Sequence, residues 1–506
     1  MVAKCLPPGI FVRETGQMRP ADLKIGDGHW GQMTFMNRRQ FIQSTTFITA
    51  NLVFGPASWA DTLTFPTVRV PEARRKFKSA AVEKTIQRLQ SSVGNKELAW
   101  MFGNCFPNTL DTTVDFGTLD GRPDTYVITG DIDAMWLRDS SAQVWPYLPL
   151  MKEDPALQQL IAGVINRQTR CILLDPYANA FYKDPNKISP WKSDWTEMKP
   201  GVHEHKWEVD SLCYPIRLAH GYWQATGDTS PFDDAWRQAV LLTLKTFREQ
   251  QRKHGHGPYY FQRRTDTPSD TLAGGGYGNP ARPVGMIFSM FRPSDDATLY
   301  PLLVPSNFFA VVSLRQAAGM LEHIHRDKDS AAGCRALADE VQQALQQYAV
   351  VTLPQGGSGY AYEVDGFGKS NCMDDANVPD LISLPYLGAV KRKNPLYENT
   401  RLWALSTRNR YYFIGRAAEG LGGPHSGPNM IWPLGLIVQG ITATDEDEIR
   451  HCLETLQRTH AGTGFMHESF DKDDAYKFTR PWFAWANTMF GEFVLKVYAQ
   501  HPRLLN

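Results

Sequence analysis

The chain has 506 residues in which 53 Lys plus Arg balance 53 Asp plus Glu, so it lacks the broad charge surplus that would hold nucleic acid or an anionic membrane. Its length can bury a sizeable core in one large domain or two smaller ones, and no stretch reaches the roughly 18 apolar residues that a membrane-crossing helix needs. The 7 cysteines show no C-x-x-C or Cys/His spacing, which removes zinc and dithiol redox motifs, while 14 Trp and 19 Tyr suit stacking on sugar rings as well as core packing.

Residues 1–60 read as an N-terminal extension carrying an export signal. Met36 is the expected start: Asn37-Arg38-Arg39-Gln40-Phe41 supplies a charged region, Phe47 to Phe54 a short apolar run, and Ser58 and Ala60 the small residues of a cleavage site. The paired arginines ahead of Phe41 resemble a twin-arginine address, which predicts a periplasmic or secreted protein. Removal of this segment takes Cys5 with it and leaves an even number of cysteines, which permits disulfides without requiring them.

Residues 61–75 read as a linker and 76–506 as one domain. Apolar residues recur at spacings of three and four from Ala80 onward and predict helices near 80–89, 140–151, 155–173, 208–226, 231–253, 306–325, 329–349, 376–388, 396–406, 431–441, 444–459 and 481–499. Long loops rich in Gly, Pro, Asp and aromatics separate them at 174–206, 254–305, 354–375 and 407–430, and loops of that length usually carry function. Gly257 to Phe261 and Arg410 to Phe413 are candidate short strands within them. Paired helices joined by elaborate loops suit a closed toroid of helical hairpins with its loops gathered over one mouth; two independent helical domains are the alternative.

Four polar constellations fall at helix ends or in these loops. In Thr129-Gly130-Asp131-Ile132-Asp133-Ala134-Met135-Trp136-Leu137-Arg138-Asp139-Ser140, the aspartates can bond sugar hydroxyls, Trp136 can supply an apolar face and Arg138 can orient a carboxylate; Asp139 and Ser140 also suit a plain helix cap. His203-Glu204-His205-Lys206-Trp207-Glu208-Val209-Asp210 has a His-x-His order with no third ligand to complete a zinc site, and its two acids near a helix start suit the macrodipole. Phe291-Arg292-Pro293-Ser294-Asp295-Asp296 places adjacent carboxylates on a rigid turn, where mutual repulsion and Arg292 can drive them to different protonation states. Alone, it is more simply a solvated turn. The upstream Gly274-Gly275-Gly276-Tyr277-Gly278 lacks the phosphate-loop pattern. In His467-Glu468-Ser469-Phe470, the acid lies among hydrogen-bonding and aromatic neighbours, as a general base would, although an ordinary surface glutamate explains it too. Asp471-Lys472-Asp473-Asp474 lacks the glycine and glutamate of a calcium loop.

A protonated acid and an ionised base held about 6.5 to 9.5 Å apart are what glycoside hydrolysis by inversion requires. Asp295 or Asp296 together with Glu468 can supply them.

The Thr129–Ser140 segment, Phe291-Arg292-Pro293-Ser294-Asp295-Asp296-Ala297 and His467-Glu468-Ser469-Phe470, in that order, resemble glycoside hydrolase family 125 over roughly 75 to 500. The resemblance implies an all-α, (α/α)6 barrel and a metal-independent, inverting exo-α-1,6-mannosidase that needs no cofactor and acts on mannose-containing oligosaccharides such as N-glycan or mannan fragments. Carried onto this sequence, it implies Asp295 as general acid, with Asp296 as the alternative, and Glu468 as general base. Asp133, Trp136, Arg138 and Asp139 become candidates for holding the terminal mannose, with Asp296 for a sugar hydroxyl. Arg292, His203, Asp210, Asn307, Asn429 and His467 are further candidates for lining the pocket. The competing readings are another sugar-active enzyme on the same toroid, such as a different glycosidase or an isomerase, and a non-catalytic glycan-binding protein. An isomerase is expected to use histidine acid/base pairs.

Overall fold

A computed structural model describes residues 65–506, which fall within one compact unit. The expected export signal and Met36 lie outside the described residues. Thirteen α-helices follow in order: α1 Ala80–Ser92, α2 Lys96–Cys105, α3 Asn108–Thr112, α4 Leu137–Val144, α5 Pro155–Leu174, α6 Val209–Thr226, α7 Asp234–Glu249, α8 Val304–His323, α9 Lys328–Tyr348, α10 Pro395–Ala404, α11 Pro433–Thr442, α12 Glu446–Thr459 and α13 Ala484–Gln500.

Burial sorts them into two rings. Every residue of α4 and α11 is buried, as are most of α6, α8 and α13, which places these helices inside the protein. In contrast, α1, α7, α9 and α12 bury one stripe each and keep charges on the other face. The inner helices pack in sequence, α13 against α4, α4 against α6, α6 against α8, and α11 against α13, while α9 backs α8 and α12 backs α11. This alternation of outer and inner helices around a closed ring is the (α/α)6 barrel.

The sixth inner position is irregular. Residues 376–388, expected to be helical, form successive turns. Pro379 and Pro385 remove amide donors, and the Asp374 carboxylate takes the N–H groups of Leu381 and Ile382 at 2.9 and 3.3 Å. The segment still fills its place in the ring: the hydroxyls of Tyr214 on α6 and Tyr397 on α10 donate to the carbonyls of Val378 and Ile382 at 2.8 and 2.9 Å.

Sequence patterning missed α2, α3 and the hairpin of Val114–Leu119 with Arg122–Val127. Seven of the ten residues of α2 are buried, so no polar stripe marks it. The hairpin turn, Asp120-Gly121, has φ of 53° and 75°, the conformation that Asp-Gly turns favour. Of the two expected strands, Arg410–Phe413 overlaps a real one, Tyr412–Ile414 paired with Glu419–Leu421, whereas 257–261 is irregular and only Gln262 bridges to Trp195.

Short strands cluster where inner helices begin. Met135–Trp136 runs directly into α4, Leu302–Leu303 into α8, and Met430–Ile431 stops just before α11. Each lies in a small three-stranded sheet built with loop segments. These ladders fix the approach of the chain to the inner-helix N-termini, and the polar constellations of the sequence sit there.

Candidate active site

One cavity at this mouth is lined by Thr129, Ile132, Trp136, Arg138 and Asp139 from the approach to α4, Pro293, Ser294 and Asp295, Asn377, His425, Trp432, Glu468 and Arg480, and Phe483 and Trp485 at the start of α13. Asp295 and Glu468, remote in sequence, share it.

Asp295 stands on the turn that its sequence suggested: its N–H donates to the Arg292 carbonyl at 2.9 Å, and the Arg292 N–H to the Asp296 carbonyl at 2.8 Å. Its φ is 64°, a conformation costly for a residue with a Cβ and concentrated at functional sites. Three donors hold it. Arg138 Nη2 and Asn179 Nδ2 reach Oδ1 at 3.0 and 3.3 Å, and Lys206 Nζ donates to the Asp295 carbonyl at 2.9 Å. Burial alone raises this carboxyl's pKa, but the nearby Arg138 and Lys206 cations outweigh it and hold the group well below its ordinary range.

Arg138 is the hub. It is 3% exposed, and its Nη1 donates to Glu208 Oε2 at 2.6 Å and Asp210 Oδ2 at 3.2 Å, while Nε lies 3.6 Å from Asp139 Oδ2. One guanidinium thus faces four carboxyl groups. Burial pushes Asp139 up to about 6 against the pull of Arg138, and burial drives Glu208 well above the carboxylate range, with Asp295 and Asp210 adding to it.

Glu468 lies opposite in character. Its Oε2 accepts from Thr479 Oγ1 at 2.8 Å and its Oε1 lies 3.5 Å from Arg480 Nε. Thr479 Oγ1 also pairs with Ser469 Oγ at 3.0 Å, so the residue just before Arg480 braces the acid. Around the cavity, the Thr129 hydroxyl and the indole N–H groups of Trp136, Trp432 and Trp485 are buried without a partner among the described residues. Unpaired buried donors are costly, and acceptor oxygens of a hydroxyl-rich ligand would offset that cost.

The other expected residues divide. Trp136, Arg138 and Asp139 line the cavity. Asp210 touches it only through Arg138, and His203 stands behind Trp136, edge-on at 5.3 Å, with Nδ1 on the Tyr182 hydroxyl. Asp296 turns away from the cavity, accepting from Ser294 Oγ at 3.1 Å and facing His425 Nδ1 at 3.6 Å. Asp133 is exposed at the rim and paired with Lys187. Arg292 is committed to Glu363 at 2.7 Å, and Asn307 spends its amide on the Ile287 and Leu303 carbonyls at 2.9 and 2.8 Å. His467 packs flat on Phe478 at 3.9 Å, its Nδ1 on the Arg480 carbonyl. Asn429 is an exposed turn residue with φ of 67°. Arg292, Asn307 and His467 lie outside the cavity lining because each is occupied in holding a loop in place, and Asn429 lies outside it on its exposed turn. His205 is likewise held by Thr196 and Asp175, and among the described residues no group of three or more His, Cys, Asp or Glu is placed to hold a metal ion.

Sequence reasoning did not single out Asn179, Glu208, Lys206, His425 or Arg480 as site residues. Glu208 had a visible signal, an acid beside a buried aromatic at a helix start; the others lie in loops whose closure only the fold reveals.

Residues 95–495 match the family described as metal-independent α-mannosidase, glycoside hydrolase family 125. The chain is 41% identical over 461 residues to the meiotically up-regulated gene 157 protein of Schizosaccharomyces pombe, covering 88% of this chain and 90% of that one. It is also similar to a Streptococcus pneumoniae protein solved as a non-productive complex with α-1,6-mannobiose and described among metal-independent α-mannosidases that process N-linked glycans, with a TM-score of 0.81, 40% identity, and coverage of 84% of this chain and 100% of that one. The fold and the family match are those of a glycoside hydrolase. The chain belongs to glycoside hydrolase family 125, the metal-independent α-mannosidases.

Proposed function

We propose that this α-mannosidase releases terminal mannose from α-1,6-linked mannosides by single displacement, with Asp295 as general acid and Glu468 as general base. The observation that carries the reading is the sharing of one cavity by these two carboxylates, whose walls add indoles and unpaired donors. The α-1,6-mannobiose bound by the pneumococcal relative supports the linkage. In the reaction, the proton on the acid passes to the glycosidic oxygen as the bond to the anomeric carbon breaks, and water attacks from the opposite face while Glu468 accepts its proton. Asp295 rather than Asp296 takes the first role because it lines the cavity while Asp296 is bound to Ser294. Trp136 and Trp485 offer apolar faces to the sugar ring.

Proton NMR of α-1,6-mannobiose during hydrolysis tests this reading. The β-anomer of mannose should appear first and then mutarotate; initial release of α-mannose overturns single displacement, and an intact substrate overturns the linkage. Export through the paired-arginine segment is a separate proposal, supported by the sequence of residues 37–60. Expression with Arg38 and Arg39 both changed to lysine should trap the protein inside the cell, and undiminished export of that variant counts against it.

A further inference from the structure

We propose that Glu208 and Asp295 share one proton and that this carboxyl pair, rather than Asp295 alone, is the general acid of the reaction; Glu208 acts through Asp295 as a positioning residue. The inference rests on the mannosidase reading above and deepens it. A general acid must carry a proton, yet the donors around Asp295 all favour its ionised form: Arg138 and Asn179 on Oδ1, and Lys206 close by.

Glu208 supplies what is missing. It is 0% exposed, and its Oε2 is taken by Arg138 at 2.6 Å and by the Ser211 hydroxyl at 2.7 Å. Its Oε1 is buried and meets no N–H or O–H donor among the described residues. The Arg138 guanidinium nevertheless brings the Glu208 and Asp295 side chains together, with Nη1 on Glu208 Oε2 at 2.6 Å and Nη2 on Asp295 Oδ1 at 3.0 Å. Two carboxylates converging on one buried guanidinium repel each other unless a proton sits with the pair, and the donor-free Oε1 of Glu208 is the atom with room for it. The surrounding charge demands the same answer. The groups facing the pair are Arg138 and Asp139 on α4, Asp210 on α6, Lys206 and Tyr259 behind, and His425 across the mouth. Inside this shell one buried guanidinium meets four carboxyls, so full ionisation would leave several negative charges with few cations, which a buried site does not tolerate.

The balance is simple. In the free enzyme the pair holds one proton and one negative charge. As the glycosidic bond breaks, that proton goes to the leaving oxygen, both carboxylates are ionised, and Arg138 bridges them; solvent then returns a proton to the pair while Glu468 releases the one taken from water.

Glu208→Gln, in the full-length enzyme, removes the shared acidic proton but leaves an amide that donates to an ionised Asp295. Turnover of α-1,6-mannobiose should fall by roughly 10²- to 10⁴-fold, the scale of general-acid catalysis, and the high-pH limb of kcat/KM should move to lower pH. Turnover of α-mannosyl fluoride, whose leaving group needs no proton, should stay within about tenfold of wild type. Equal losses on both substrates would reduce Glu208 to a structural role and overturn the proposal, as would an unmoved high-pH limb. Ser211→Ala provides a second arm should the first variant fold poorly: without its hydroxyl the ionised pair loses a donor, so the high-pH limb should move upward, and an unchanged limb overturns sharing. Wild-type enzyme on α-1,6-mannobiose is the reference throughout. No turnover there overturns the mannosidase reading and the pair with it, whereas wild-type turnover matched by Glu208→Gln overturns the pair alone.

Discussion

Two groups of buried carboxyls sit in the barrel, and they are solved in opposite ways. Asp139, Glu208, Asp210 and Asp295 surround one guanidinium, and Asp139 and Asp295 open onto the cavity. Asp374, Asp375 and Asp380 are all 0% exposed, and each is spent on its own loop: Asp374 on the amides of Leu381 and Ile382, Asp375 on Asn377, and Asp380 on the Ser383 N–H at 2.7 Å. Burial raises the pKa in both groups. In the second, backbone amides answer the charge and protons complete it, so the acids shape a turn where a regular helix would otherwise run. In the first, a cation and a neighbouring acid divide the charge, and one oxygen remains poised toward the cavity. A density of acids therefore does not by itself mark a catalytic site: the acids of the second cluster are spent on closing a turn.

The strongest way to break this contrast is to neutralise acids on the cavity. Glu468→Gln and Asp295→Asn should each cost roughly 10²- to 10⁴-fold in turnover of α-1,6-mannobiose, while calorimetry shows mannose binding changed only severalfold. Wild-type turnover in either variant removes that residue from the chemistry. Next in size is Arg138→Met, which leaves three or four buried carboxyls without their cation. Breaking a buried ion pair from one side costs about 3 to 5 kcal/mol, and urea unfolding should show a loss of that order at neutral pH, reduced at pH 5 where more of these acids hold protons. A loss below about 1 kcal/mol would mean that the cluster is already neutral without the guanidinium.

The sequence showed the ring and the chemistry more readily than the walls. The long helices α5, α6, α8 and α9 are legible because apolar spacing persists over about five turns. The segment 376–388 misled because its apolar residues have helical spacing while its prolines and buried aspartates redirect the backbone, and α2 was hidden by being buried on nearly every side. At the site, Trp136, Arg138, Asp139, Asp295 and Glu468 could be singled out because several polar and aromatic residues crowd into short motifs. Arg292, Asn307 and His467 lie in the same motifs yet brace loops, and local sequence does not distinguish a side chain facing a cavity from one facing the backbone behind it. Glu208 shows the reverse: its spacing suits a helix start, and only the arrival of Asp295 from a distant loop at the same guanidinium brings it to the site.

The smallest expected effect tests the closed cluster itself. Asp380 is pushed up to about 7, first by burial and then by the nearby Asp375, against the amide and hydroxyl of Ser383. An unfolded aspartate titrates near 3.9, so between about pH 4 and pH 7 the folded protein holds a proton that the unfolded chain has released. Stability attributable to this group is therefore fully present below about pH 4 and is lost as pH rises toward 7. Asp380→Asn keeps an acceptor for Ser383 but removes the titration. Its urea midpoint should fall less between pH 5 and pH 8 than that of wild type, with turnover of α-1,6-mannobiose unchanged. Asp139 and the Glu208 pair contribute their slope equally in both proteins, so the difference isolates Asp380. Parallel pH profiles would place the proton elsewhere in the cluster, and a loss of turnover would join the two carboxyl groups into one functional unit.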